Sequence, residues 1–177
     1  MCLSVKSIVV IGILFLCSSC SMMPWSKPNT KPPSDVKVTF EARYEKNALT
    51  VNIKSNPRLN LYQERPHSLV LCMYELKEPN MFNQFSDERD GIYKLMECGR
   101  FDGSVAYSKR QIIQPGEDVS DVRDRAEGAK YLGIVAGYYD LKKSSAIRLL
   151  PIDKVGPGKI VIDLVLGPRE IQDIRVR

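Results

Sequence analysis

An all-β sandwich of about eight strands with one short helical insertion is the fold class that the sequence predicts. Three observations carry it. Several segments alternate apolar and polar residues with a period of two, as in Val36–Tyr44 and Lys159–Leu166. Two runs, His67–Leu76 and Lys130–Asp140, are apolar at almost every position, which suits strands covered on both faces. Turn pairs such as Pro115-Gly116 and Gly167-Pro168 punctuate the chain between these runs. With 177 residues, 44% hydrophobic and 27% charged, there is apolar surface for one core, and collagen, coiled-coil, multi-pass membrane and wholly disordered classes are excluded. The net charge of +5 comes from 26 basic and 21 acidic residues without a long block of either sign, so nucleic-acid binding has little electrostatic support.

The first element is a leader. Lys6 is followed by the apolar run Ile8–Leu16, which stops at Cys17, Ser18, Ser19 and Cys20. A spanning helix needs roughly 20 apolar residues, so residues 1–19 read as a lipoprotein signal peptide, not as an anchor. The stop resembles a bacterial lipobox, with Ser18 and Ser19 before the acylated cysteine, Cys20; Cys17 stands where such boxes usually carry Leu. Ser21, where an Asp is absent, resembles lipoproteins sent to the outer membrane. Residues 20–35 then form a tether. Ser21–Asp35 holds four prolines and no periodicity, and at ~3 Å per residue it reaches roughly 45 Å. Trp25 within it suits either the membrane interface or a solvated linker.

Residues 36–177 make the sandwich domain. Val36–Tyr44 reads as a half-buried strand, Glu45-Lys46-Asn47 as a turn, and Leu49, Val51 and Ile53 as the hairpin partner. Asn56–Pro66 is a long loop bracketed by prolines, and His67–Leu76 a central strand. Near residues 79–96 the period changes: Phe82, Phe85, Ile92, Leu95 and Met96 fall at helical spacings. Strands return at Ser104–Gln114, Glu117–Arg123 and Lys130–Asp140. Ile147–Ile152 is an edge strand because Pro151 cannot donate to a ladder. Lys159–Leu166 and Ile171–Val176 close the chain.

Catalytic and metal chemistry find little to stand on. His67 is the sole histidine, and Cys72, five positions along the same predicted strand, falls on the opposite face. No C-x-x-C pair offers a zinc site. Gly156-Pro157-Gly158-Lys159 lacks the spacing of a phosphate loop. Asp87, Glu88 and Asp90, and Asp118, Asp121 and Asp124 near a turn, lack calcium-loop spacing and read as solvated. No catalytic, cofactor-binding or metal-ligating residue is assigned, and the chain reads as a non-enzyme. Cys72 and Cys98 remain as an even pair in an oxidising compartment, either bridged, which would stabilise the fold by roughly 3 kcal/mol, or resting as two reduced buried thiols. In the long loop, Leu59, Leu61 and Tyr62 look like exposed apolar anchors rimmed by Arg58 and Arg65, as suits a protein interface. The other reading has Leu59 and Leu61 tucked onto the sandwich as a plug.

Taken in order, the acylated cysteine, the Pro-rich tether, the loop NPRLNLYQERP, the strand SLVLCMYELKEP, the Phe-containing insertion, the turn QPGE and the strand YLGIVAGYYD resemble the outer-membrane lipoproteins of type VI secretion systems, the TssJ (VasD/SciN-like) family. The resemblance covers roughly Leu49 to Val176. It implies a transthyretin-like two-sheet sandwich without enzymatic activity or cofactor, lipid-anchored on the periplasmic face of the outer membrane. It also implies a partner, the periplasmic domain of the IcmF-like inner-membrane component TssM, with no nucleic acid and no small-molecule substrate. The family's partner-binding loop maps onto Arg58, Leu59, Asn60, Leu61, Tyr62 and Gln63. One departure is that the Val36–Tyr44 strand and its turn precede the family's first strand. The alternative is a periplasmic lipoprotein sandwich that binds a small ligand or another envelope protein.

Overall fold

Alternation at Leu49, Val51 and Ile53 puts three fully buried side chains on one face of the first strand, β1 (Glu45–Ser55). The computed structural model describes residues 45–153 and 158–177. After β1 come β2 (Leu69–Leu76), α1 (Asn80–Asp87), α2 (Arg89–Leu95), β3 (Val105–Ile113), β4 (Asp118–Arg125), β5 (Tyr131–Ala136), a helical turn α3 (Lys143–Ala146), β6 (Ile147–Pro151), β7 (Ile160–Leu166) and β8 (Ile171–Val176). Among the described residues the eight strands form two four-stranded sheets, ordered β4-β1-β7-β8 and β3-β2-β5-β6. The expected sandwich with a short helical insertion is therefore the fold, and the strand carrying Pro151 is an edge.

Ile160, Ile162, Leu164 and Leu166 of β7 line up beside β1 and are buried with it. From the second sheet, Leu69, Leu71, Met73, Leu132 and Ile134 join the same core. The second sheet is covered on its other face as well. There Cys72, Tyr74 and Leu76 are fully buried beneath α1 and α2, which explains why β2 is apolar on nearly every position. Phe82 of α1 lies edge-on to Tyr74, with centroids 5.9 Å apart, and its ring fills the space above Gly133, where an added Cβ would come within 2.6 Å of it. The Tyr74 hydroxyl donates to the Leu95 carbonyl. A disulfide between Cys72 and Cys98, with Cα atoms 5.1 Å apart, ties the end of this helical layer to the sheet.

Several expectations need correction. Glu45-Lys46-Asn47 is not a hairpin turn; it lies in β1 as a bulge between the Glu45–Arg125 and Leu49–Arg123 pairs. Asn47 takes a left-handed φ of 52° there, and its N–H donates to Asp124 Oδ1. Leu49–Lys54 is hydrogen-bonded to β4 on one side and, in parallel, to β7 on the other, so its edges hold no hairpin partner from upstream. Residues 36–44 lie outside the described residues, as do the leader, Cys20, the tether with Trp25, and Gly156 and Pro157. The strand expected to reach Asp140 ends at Ala136, where the Tyr138 N–H turns back onto the Ala136 carbonyl at 2.9 Å.

Asp118, Asp121 and Asp124 all belong to strand β4; Asp118 and Asp124 are exposed, as expected of solvated carboxylates, and Asp121 is not. Asp121 is buried between the sheets, where it accepts from Lys109 at 2.6 Å and pairs with Arg123. Arg123 in turn donates to the fully buried Glu75 at 2.8 Å, which also accepts the Ala126 N–H at 2.7 Å. The Arg123 guanidinium sits 5.6 Å from the centre of the Tyr107 ring. Charge, not hydrocarbon, thus fills the space between the sheets near β3 and β4.

Candidate functional site

Strands β1, β5 and β7 all finish, and β2 starts, at the same end of the sandwich, because β1 and β7 are parallel and β5 pairs antiparallel with β2. Four connections lie at that end, residues 56–68, 114–117, 137–142 and 167–170, and three of them, 56–68, 137–142 and 167–170, border one cleft. The chain joins β1 at the opposite end, at Glu45.

The 56–68 connection is built from the inside out. Asn56 opens it with a turn in which its Oδ1 accepts the Arg58 N–H and its carbonyl the Leu59 N–H, both at 2.8 Å. Leu59 and Leu61 are then buried, at 0% and 9% exposure, Leu59 within the core and Leu61 at the floor of the surface cleft between the loops. The expectation that both stand exposed as anchors is corrected: leaving them in water would forfeit roughly 2 kcal/mol each, and the loop turns them inward as its plug. The Leu61 N–H reaches the Pro168 carbonyl at 2.7 Å and the His67 N–H the Leu59 carbonyl at 3.0 Å. Asn60 lies between the two leucines, buried, with a left-handed φ of 50°. Its Nδ2 donates to the Ser68 carbonyl and its Oδ1 accepts the Tyr139 N–H, each at 3.0 Å.

Beyond the plug the chain projects as a two-residue turn. Tyr62 and Arg65 exchange both backbone hydrogen bonds, at 3.0 and 2.9 Å, and Gln63 and Glu64 between them have φ of 47° and 57°. This is the hairpin geometry that favours Asn-Gly; two side-chain-bearing residues hold it at a cost of about 1 kcal/mol or more each. Glu64 is paired with Arg58 at 2.9 Å and Arg169 at 3.6 Å, but these exposed pairs contribute little. Tyr62, 44% exposed, stacks nearly flat on Tyr139 with centroids 4.2 Å apart and 14° between planes. His67 meets the edge of the same pair, 5.3 Å from Tyr139.

Tyr138 faces the other way. It is buried, and its hydroxyl donates to the Glu170 carbonyl at 2.8 Å, joining two of the three loops. Burial pushes that hydroxyl well above the ordinary tyrosine range, so it stays a neutral donor. Between the loops lies an open cleft of about 410 Å³ bordered by Asn60, Tyr62, Tyr139, Asp140 and Arg169. A neighbouring hollow of about 460 Å³ extends it past Arg58 and Glu64. Of the loop residues singled out from the sequence, Arg58, Tyr62 and Gln63 face solvent while Leu59, Asn60 and Leu61 hold them in place. Tyr139 and Arg169 were missed; the doubled tyrosine closing an apolar run is the one signal that pointed to the former. Among the described residues no three His, Cys, Asp or Glu side chains come together as a metal site.

Comparison with known proteins gives a family and a fold. A family model described as type VI secretion lipoprotein (VasD, EvfM, TssJ) matches residues 47–168. The chain is similar to the type VI lipoprotein TssJ1 from Pseudomonas aeruginosa, with 23% identity and a TM-score of 0.61 over 73% of this chain and 95% of that one. Similar folds also occur in a structure described as the TssM C-terminal domain from EAEC (22% identity, TM-score 0.54, 73% and 96% covered). The Serratia marcescens protein Lip, described as a membrane-bound type VI component, is a further one (17%, 0.52, 73% and 96%). No curated protein matches the chain.

Proposed function

Because the chain belongs to the type VI secretion lipoprotein family, we propose that it is a non-enzymatic adaptor fixed to the periplasmic face of the outer membrane through acylated Cys20. In this reading residues 1–19 are removed as a signal peptide, 20–35 are the tether, and 36–177 are the domain that binds the periplasmic part of the IcmF-like inner-membrane component. The loop 56–66 makes the contact, with Tyr62, Gln63 and Arg58 outward. The observation that carries it is polarity: the chain joins β1 at Glu45, and the loop leaves β1 at Ser55, at the other end. Beyond the bulge, Leu49–Ser55 alone spans roughly 20 Å of paired strand, so the loop opens at the end of the domain opposite to where the chain enters it. The loop also has the character of a contact surface. An aromatic anchor is half exposed, its backbone is pinned by hydrogen bonds, and arginines rim it.

The test is binding of the mature lipoprotein to the partner's periplasmic domain. Tyr62→Asp, at a half-exposed position, is expected to lower affinity at least tenfold while leaving the thermal midpoint within a few degrees. Unchanged affinity refutes the loop assignment. In the same preparations Cys20→Ser is expected to leave the membrane fraction, and continued lipid labelling of that variant refutes the anchor.

A further inference from the structure

Tyr139 is 57% exposed, yet it is held from three sides. Below it, Tyr138 is locked by burial and by its bond to the Glu170 carbonyl, and the Gly137 N–H donates to the Val70 carbonyl at 2.8 Å. Beside it, its own N–H is accepted by the buried Asn60 carboxamide. Above it lies the Tyr62 ring. Tyr62 is the reverse case: its backbone belongs to a turn with two left-handed non-glycine residues, closed only by its two bonds with Arg65 and flanked by exposed ion pairs. A rigid ring thus lies flat beneath a ring that springs from a strained turn.

We infer that Tyr139 is a positioning residue for the docking loop: it is a platform that keeps Tyr62 in one orientation, and Asn60 couples the two loops by bonding to both. The inference rests on the reading of loop 56–66 as the partner site, but the positioning itself shows in the free protein. An aromatic pair of this geometry shifts an opening equilibrium by roughly threefold to tenfold.

The experiment uses the mature lipoprotein in detergent. Amide exchange at Tyr62 and Arg65, whose N–H groups close the turn, is expected to speed up roughly threefold to tenfold in Tyr139→Ala. Tyr139→Phe, which keeps the ring and the N–H, is expected to restore it. Affinity for the partner's periplasmic domain is then measured for Tyr62→Ala, Tyr139→Ala and the double variant. Tyr139→Ala is expected to weaken binding by a similar factor in the native background and by less than about twofold once Tyr62 is gone. Unchanged exchange in Tyr139→Ala overturns the platform. Fully additive affinity losses overturn it too, since Tyr139 would then act as a contact in its own right. Accelerated exchange with affinities unmoved in every variant supports the platform and refutes the docking site, so the two readings fail separately.

Discussion

Leu59 and Tyr62 are three residues apart in one loop, and truncating each should injure a different property. Leu59 is fully buried; Leu59→Ala loses the transfer energy of the removed carbons and leaves a cavity, a combined cost of about 2–5 kcal/mol. The backbone around it is pinned by the bonds from Leu61 to Pro168 and from His67 to Leu59, so collapse is limited and a value of about 3 kcal/mol is expected. In a domain of this size each kcal/mol moves the midpoint by roughly 3–5 °C, which puts the expected drop near ~10 °C. Tyr62, 44% exposed, gives up one stacking contact on truncation, about 1 kcal/mol. As a central aromatic anchor it is expected to cost about 2 kcal/mol of binding, roughly thirtyfold. The assay pairs thermal unfolding by circular dichroism with titration of the partner's periplasmic domain at a temperature well below both midpoints. Leu59→Ala is expected to melt early and bind within about threefold of the native protein, with Leu59→Met, which conserves volume, recovering most of the stability. The division is refuted if Leu59→Ala keeps its midpoint and loses thirtyfold in affinity, because Leu59 would then be touching the partner.

Two further outcomes follow from the interior. Reducing the Cys72–Cys98 bridge, which spans 26 positions, is expected to add two hydrogens to the intact mass and lower stability by about 3.5 kcal/mol, read as a urea midpoint lower by roughly 2 M; an unmoved midpoint contradicts the entropic account. Glu75→Ala removes the acceptor of both Arg123 Nε and the Ala126 N–H and is expected to cost about 3–5 kcal/mol, whereas Glu75→Met with Arg123→Leu should recover only part of it, since the Ala126 N–H stays without its acceptor and Asp121 keeps Lys109 alone. Purely additive costs in that cycle would show that the two charges do not act as a unit.

The strands were legible wherever one face or both meet the core. β7 announces itself by alternation at Ile160, Ile162, Leu164 and Leu166, β6 as an edge by Pro151, and β2 by its unbroken apolar run. The failures have a common physical origin, since they depend on partners far along the chain. Glu45-Lys46-Asn47 has turn composition, and a bulge draws on the same residues; only pairing with Arg125 and Arg123 tells them apart. Asp121 and Arg123 alternate with Val122 as solvent-facing charges would, and Glu75 interrupts an otherwise apolar strand, but they come from strands of two sheets and neutralise one another across the interior. In the loop no period applies, so nothing local distinguishes Leu59, which turns inward, from Tyr62, which does not. Asn60 gains its role only when the Tyr139 backbone arrives from 79 positions away.

The bulged central strand has a mechanical consequence. In the proposed adaptor, with a bilayer on the amino-terminal side of Glu45 and a partner on the segment after Ser55, a pull would run through the covalent backbone of that one strand. Beyond the bulge at residues 45–49, which holds a little length in reserve, it runs at ~3.3 Å per residue, close to the ~3.6 Å limit of a stretched chain. The remaining seven strands and the helical layer lie beside this line of traction and are not asked to unravel. At its far end that line is held by the leucine plug, whose backbone is bonded to Pro168 and His67.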